Sequence, residues 1–318
     1  MPAKAKLLRA LQVAACLGLA LLLWRAADGQ AALTHLQGAH LGWLSVAGAA
    51  LLIQTLLSAR RWQITADRLG LSIPAGTAVR EYFLAQAVNQ SLPGGVLGDA
   101  NRAVRARGPA GWKVSAQAVV FERITGQLGL LAVLAFGLLL WGVVPDMVRW
   151  PVWLWTPLAI TLGAVLVGGL CVAGSATARR AVAVFADAVW APGVRVQQIG
   201  LSLGTAFCNV AGFAFCALAL GVSLSVTQGA ALIPLILFAM LVPLSIAGWG
   251  VREGAAVLVL PLVGATSAEA LAISVAFGLV FLLTTLPGVI FPLMRPNAPV
   301  RPGASREKLT TDEMILRP

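Results

Sequence analysis

The 318-residue chain predicts an all-α polytopic membrane protein, with about six transmembrane helices and two opposed re-entrant hairpins in an inverted repeat. Long runs without charge, the placement of basic residues and an element order that repeats lead to this reading. Hydrophobic residues make up 59% of the chain and charged residues 11%, whereas an ordinary soluble domain is roughly 25% charged. Residues 124–145, 150–178, 196–251 and 270–294 contain no Asp, Glu, Lys or Arg. A helix needs about 20 such residues to cross the hydrocarbon core, so a soluble fold is excluded. The net charge of +11 does not indicate nucleic acid. The basic residues are scattered through short loops, and no nucleic-acid-binding motif accompanies them.

The first span is expected at about 7–27, behind Lys4, Lys6 and Arg9. It is read as a retained helix rather than a cleaved signal peptide, because the repeat requires it. Further spans are expected at about 40–58, 124–144, 152–173, 199–221 and 268–293. Cytoplasmic loops of membrane proteins are enriched in Lys and Arg. Under that rule, only Arg25 and Arg149 of the 23 basic residues fall in outer loops. The expected setting is a cytoplasmic (inner) membrane, with both termini cytoplasmic. Cys16, Cys171, Cys208 and Cys216 lie in apolar runs without metal-ligand spacing, which suits helix packing. Residues 179–198 place Ala181, Val184, Phe185 and Ala188 at helical spacing beside basic residues, which suits a helix on the cytoplasmic surface. Residues 295–318, with four prolines and mixed charge, are expected to form a disordered cytoplasmic tail.

Two segments remain. Residues 76–108 leave from and return to basic flanks, and residues 225–266 leave from and return to the outer side. Neither can cross once, and the first is too polar to cross twice. Each is therefore expected to dip in and return as a re-entrant hairpin, which requires protein or a wet cavity around its tip. Residues 1–145 and 150–294 then read alike, as span, span, hairpin, span, in opposite orientations within one membrane domain, 1–294. The tips align without gaps: SLPGGVLGD at 91–99 and SIAGWGVRE at 245–253. Interrupted helices at matching places in an inverted repeat point to a transport site at the repeat interface.

The candidate site residues follow from those tips. Pro93 lacks an N–H and breaks a helix. Gly94 and Gly95 let backbone N–H groups approach a ligand, with Gly98 as a further breaker. Asn89, Gln90 and Ser91 offer neutral donors and acceptors, and Asp99 and Arg102 bring opposite charges. Glu122 and Arg123 enter the third span, where ionisable residues usually line a pathway. In the second tip, Ser245, Gly248 and Gly250 precede Arg252 and Glu253, with Pro243 and Gly254 as breakers. Arg252 ends a run of 56 residues without charge. No Walker A motif, HExxH or Cys/His cluster is present, so no cofactor, no metal and no catalytic residue are expected, and the chain is not read as an enzyme.

NQSLPGGVLGD, the basic loop after it, ERITG and PLSIAGWGVREG together resemble the lysylphosphatidylglycerol synthase transmembrane region, also called the flippase-like membrane family, over about residues 7–294. In the full-length synthases this region is joined to a soluble aminoacyltransferase domain. The resemblance here covers the membrane part alone, so it implies lipid translocation rather than lipid aminoacylation. The expected substrate is a phospholipid or polyprenyl-phosphate lipid. Its phosphate would meet Arg102, Arg123 and Arg252 in a polar cavity between the hairpins, with Asp99, Glu122 and Glu253 holding the arginines or meeting a cationic head group. A lipid-synthesis enzyme and a second copy of the chain are further partner classes. Two alternatives stay open: an intramembrane transferase acting on a lipid carrier, with Asp99 or Glu122 as base, and a scaffold in a lipid-synthesis complex.

The topology is testable with single cysteines in a cysteine-free background. A cysteine at Ala110 is expected to react with impermeant maleimide only from the cytoplasmic side, and one at Thr227 only from outside. The reverse labelling at either position contradicts the orientation.

Overall fold

The computed structural model describes residues 18, 21–91, 95–108, 111–143, 174–241, 248–294 and 301–302. Within them the architecture is helical. A short helix, α1 (Gly29–Gln37), begins at Asp28, whose side chain accepts a hydrogen bond from the Ala31 N–H. The long α2 (Leu41–Arg68) follows, then β1 (Leu71–Ser72), α3 (Ala75–Ser91), α4 (Leu97–Arg105) and α5 (Gly111–Val143). The second half contributes α6 (Ala176–Trp190), α7 (Arg195–Ala219), α8 (Val226–Phe238), α9 (Val251–Val259), α10 (Ser267–Thr284), α11 (Leu286–Met294) and β2 (Arg301–Pro302).

Among the described residues, four helices are long and apolar enough to cross a membrane: Leu41–Arg68, Gly111–Trp141, Arg195–Ala219 and Ser267–Ile290. They match four of the six expected spans; the first and fourth lie largely outside the described residues. Two boundaries need correction. The helix expected to stop near residue 58 continues to Arg68, and the one expected from residue 124 begins at Gly111. The added turns carry a buried polar face, with Arg61, Thr65 and Ser115, beside exposed charges such as Arg60 and Lys113. Arg61, assigned by its charge to a cytoplasmic loop, is therefore an interior residue of α2 with 3% of its surface exposed.

Helices α2 and α7 pack along much of their length, and α5 lies against α7 and α8. Small residues allow the close approach that membrane helices depend on. A Cβ on Gly129 of α5 would stand 2.6 Å from the Ser202 carbonyl oxygen, and one on Gly137 would meet the backbone of Ala230. The apolar core centres on Leu51, Phe213, Leu232, Ile233, Ile236 and Phe277. Ser225 and Thr266 begin α8 and α10 with capping boxes, Gln228 and Glu269 returning the bond to the cap backbone.

The two problem segments are helix–break–helix units. Helix α4 runs back along α3: Gly98 touches the backbone of Ala85, and Arg105 reaches Glu81. In the second unit α8 passes through a 3-10 turn (Ala239–Leu241), and α9 resumes at Val251. The tips at residues 92–94 and 242–247, which include Pro93, Gly94, Pro243 and Ser245, lie outside the described residues. The helices that follow the two breaks can be compared directly. Both α4 and α9 are nine residues long; their N-caps are Val96 and Gly250, and their first-turn carboxylates are Asp99 and Glu253. These are the pairs that the ungapped alignment of the two tips matches.

A helix is present in the segment expected to hold one, α6, with Ala188 and Val189 packed on Phe121; Ala181 and Val184 of the expected apolar face are exposed. The tail expected to be disordered contains an exception. Arg301 and Pro302 pair antiparallel with Ser72 and Leu71, so backbone hydrogen bonds tie the chain after α11 to the turn after α2. The rest of the tail beyond Met294 lies outside the described residues.

Candidate functional site

Helices α2 to α5 converge on a buried network of charge. Arg61 of α2 donates to Glu122 Oε1 at 2.6 Å, and the Tyr82 hydroxyl of α3 donates to the same oxygen at 3.1 Å. Arg102 of α4 bridges two carboxylates, donating to Asp99 Oδ1 at 3.0 Å and to Glu122 Oε2 at 3.2 Å. Arg123 pairs with Asp99 Oδ2 at 2.7 Å. Asn89 donates to that oxygen at 3.1 Å and accepts from the Gly98 N–H at 2.7 Å. The Arg102 guanidinium is held between two rings, 4.5 Å from the Trp62 centroid and 4.4 Å from that of Tyr82. Such cation–π contacts gain strength away from water.

The local sequence explains the convergence. Glu122 is followed by Thr125 and Gly126, one turn along α5. Arg61 lies on Gly126, where an added Cβ would stand 2.7 Å from its Nη2. Gly98 is not a breaker, as expected from sequence; it lies inside α4, its backbone pressed onto α3, and the missing side chain makes that approach possible. Gly95, by contrast, has φ +60, which fits the expected break. Gln90 is buried beside Asn89, whereas Ser91 is exposed at the end of α3.

The balance of charge is the decisive feature. Three guanidiniums, from Arg61, Arg102 and Arg123, face two carboxylates, Asp99 and Glu122. Arg61 and Arg102 are buried against the two carboxylates and Arg123 has 42% of its side chain exposed, so the cluster as a whole carries one positive charge in excess. Arg61 Nε and Nη1, Arg102 Nε and Nη1, and Arg123 Nε are buried without a hydrogen-bond partner. Buried donors are ordinarily satisfied. The arrangement has the chemistry of a site that takes one anion, with guanidiniums suited to phosphate.

The second unit builds a smaller cluster from other helices. Arg252 donates through Nε to Glu253 Oε1 and to Ser274 Oγ of α10, each at 3.0 Å, and its Nη2 also reaches Glu253. Its guanidinium lies 4.8 Å from the Trp249 ring centroid. Glu253 also accepts from the Gly250 N–H, capping α9. Gly248 and Gly250 adopt φ +81 and +86, conformations that L side chains rarely take. Gly254, expected to break the helix, lies inside α9. One arginine faces one carboxylate here, so the cluster is balanced. Arg252 lies on Gly278 as Arg61 lies on Gly126.

The residues expected to form one site thus fall into two clusters. Asn89, Asp99, Arg102, Glu122 and Arg123 come together in the first, and Gly248, Gly250, Arg252 and Glu253 in the second. Sequence reasoning missed Arg61, Trp62, Tyr82 and Ser274. Continuing the second span beyond residue 58 would have exposed Arg61, because Gln54, Ser58, Arg61 and Thr65 share one helical face and all are buried. A family model described as the lysylphosphatidylglycerol synthase TM region matches residues 10–288, and the chain belongs to that family. No curated protein and no solved structure matches the chain.

The glycine notches give a direct test of the packing. Gly126→Ala and Gly278→Ala are expected to lower the melting temperature in detergent, since overpacking costs about 1–3 kcal/mol. Gly200→Ala is the control, because nothing lies within 4 Å of a Cβ built there. Equal melting temperatures for all three variants would show that the two arginines are not held as described.

Proposed function

We propose that this member of the lysylphosphatidylglycerol synthase TM-region family moves a phosphate-bearing lipid head group across the membrane. The family supplies the setting, a function tied to membrane lipid. The excess positive charge among Arg61, Arg102 and Arg123 carries the reading. A phosphate group that leaves the water needs a counter-charge and donors to replace its hydration. The unpartnered N–H groups of the cluster supply both, and the acyl or polyprenyl chains remain in lipid beside the protein.

The two helix–break–helix units are the moving parts of this reading. Each dips into the membrane and returns, and the head group passes between them. Inverted repeats support such exchange of access from one side to the other. The Arg252–Glu253 pair, being balanced, holds the second short helix in place and presents a single free donor, Nη1, to a passing phosphate. Arg102 also holds Glu122, and Arg102 and Arg123 hold Asp99, so Arg61 can turn to the substrate while both carboxylates keep a partner.

Arg61→Gln separates this role from folding. It leaves Arg102 with Glu122 and Arg123 with Asp99, so every remaining charge in the cluster keeps a partner. The variant is expected to insert and purify normally and to lose at least tenfold in transbilayer movement of acyl-labelled phosphatidylglycerol in proteoliposomes. That loss corresponds to roughly the 1.5–3 kcal/mol of a hydrogen bond to a charged group. Arg60→Gln, an exposed neighbour, is expected to move lipid at the wild-type rate. Wild-type movement by Arg61→Gln would contradict the role given to the excess charge.

A further inference from the structure

Resting on the translocation reading above, the cluster also indicates which head group is carried. We infer that the substrate is a lipid phosphodiester bearing a neutral, hydroxylated head group, and that cationic head groups are rejected. The first argument is charge. An excess of one positive charge matches a phosphodiester, which carries one negative charge. A phosphomonoester carries about −1.5 to −2 at neutral pH and would be under-compensated.

The second argument concerns the carboxylates. A lysyl or other ammonium head group needs an uncommitted carboxylate in a buried site. Glu122 already accepts from Arg61, Arg102 and Tyr82, and Asp99 from Arg102, Arg123 and Asn89. Glu81 is held by Arg105, and Glu253 by Arg252, Ser274 and the Gly250 N–H. The other described carboxylates cap helices, as Asp28 and Glu269 do, or are exposed, as Asp67 and Asp187 are. An ammonium would meet the field of three guanidiniums with no counter-charge of its own.

The third argument is what adjoins the cluster. Within two turns along α2 and one along α3 lies a buried set of neutral groups: Gln54, Thr55 and Ser58, with Gln86 opposite. Thr55 Oγ1 approaches Gln86 Oε1 at 2.9 Å, Gln86 Nε2 donates to Gln54 Oε1 at 3.4 Å, and Gln54 Nε2 donates to Ser58 Oγ at 3.2 Å. Amides and hydroxyls both donate and accept, so head-group hydroxyls can exchange with these partners one for one. Glycerol and sugar heads have that chemistry.

The test is a panel of acyl- or chain-labelled lipids in proteoliposomes: phosphatidylglycerol, a polyprenyl phosphodiester of glucose, and lysylphosphatidylglycerol. At least one of the first two is expected to move at least tenfold faster than the lysyl lipid, and which of them does so identifies the source of the shared head-group chemistry. Gln54→Leu combined with Gln86→Leu removes both partners of the bond between the two amides, a change that is often nearly neutral for folding; Thr55 keeps its bond to the Leu51 carbonyl, and Ser58 loses one donor. It is expected to slow the preferred lipid at least fivefold at an unchanged melting temperature. Equal or faster movement of the lysyl lipid overturns this inference while leaving the translocation reading intact. Failure of the wild-type protein to move any of the three overturns that reading, and this inference with it.

Discussion

Three arginines share two carboxylates where four helices meet, two of them, Arg61 and Arg102, buried and the third, Arg123, partly exposed. That imbalance organises the first half of the molecule. Arg61, Arg102, Asp99 and Glu122 come from α2, α4 and α5, so none of these helices can shift without exposing a charge to hydrocarbon or breaking a pair. Breaking a buried pair costs about 3–5 kcal/mol, which exceeds what any single apolar contact around it contributes. The notch at Gly126, the close approach at Gly98 and the rings of Trp62 and Tyr82 are all placed to hold guanidiniums. The network binds the helices together, yet it is not neutral by itself, and that residue of charge links the packing to a function.

The second cluster shows what a balanced version looks like. Arg252 and Glu253 have the same ingredients: a glycine notch at Gly278, an aromatic ring over the guanidinium and a carboxylate in the first turn of a nine-residue helix. In the ungapped alignment of the two tips, this carboxylate stands where Asp99 stands in the first half. The arginines, however, do not correspond. Arg252 aligns with Gly98, while Arg61 and Arg102 have no matching charge in the second half. The two units therefore share the helix–break–helix frame and its carboxylate, and differ in the cations built upon it. In the proposed function, that difference makes one station attract the phosphate and the other release it.

The class of fold, the family and the positions of both breaks were legible in the sequence, because charge-free runs, basic loops and an ungapped match of the tips report directly on burial and topology. The candidate residues at the first tip were legible from the polar, glycine-rich break that holds Asp99 and Arg102, and those on α5 because Glu122 and Arg123 are charges at the head of an apolar run. Arg61 was not. Its neighbours Arg60 and Arg68 are exposed or half-exposed, and a charge count treats all three as loop residues. Only helical phase distinguishes them, since Arg61 shares the buried face of Ser58 and Thr65. Arg252 and Glu253 gave the loudest signal in the sequence, standing after a long apolar run. Their geometry is nevertheless the more self-contained of the two clusters. Isolation in sequence reports that a charge is buried, and the count of partners around it reports whether it is satisfied.

The central claim is that the Arg61, Arg102 and Arg123 cluster receives a lipid phosphate. The most direct measurement is an electron cryomicroscopy map of the protein, bound to a rigid antibody fragment, in nanodiscs containing phosphatidylglycerol. The account predicts head-group density among the three guanidiniums, with the phosphorus within about 4 Å of Arg61 and Arg102, as charge-assisted hydrogen bonds require. Lipid phosphates confined to the outer surface of the helices, with the cluster closed upon itself, would contradict it.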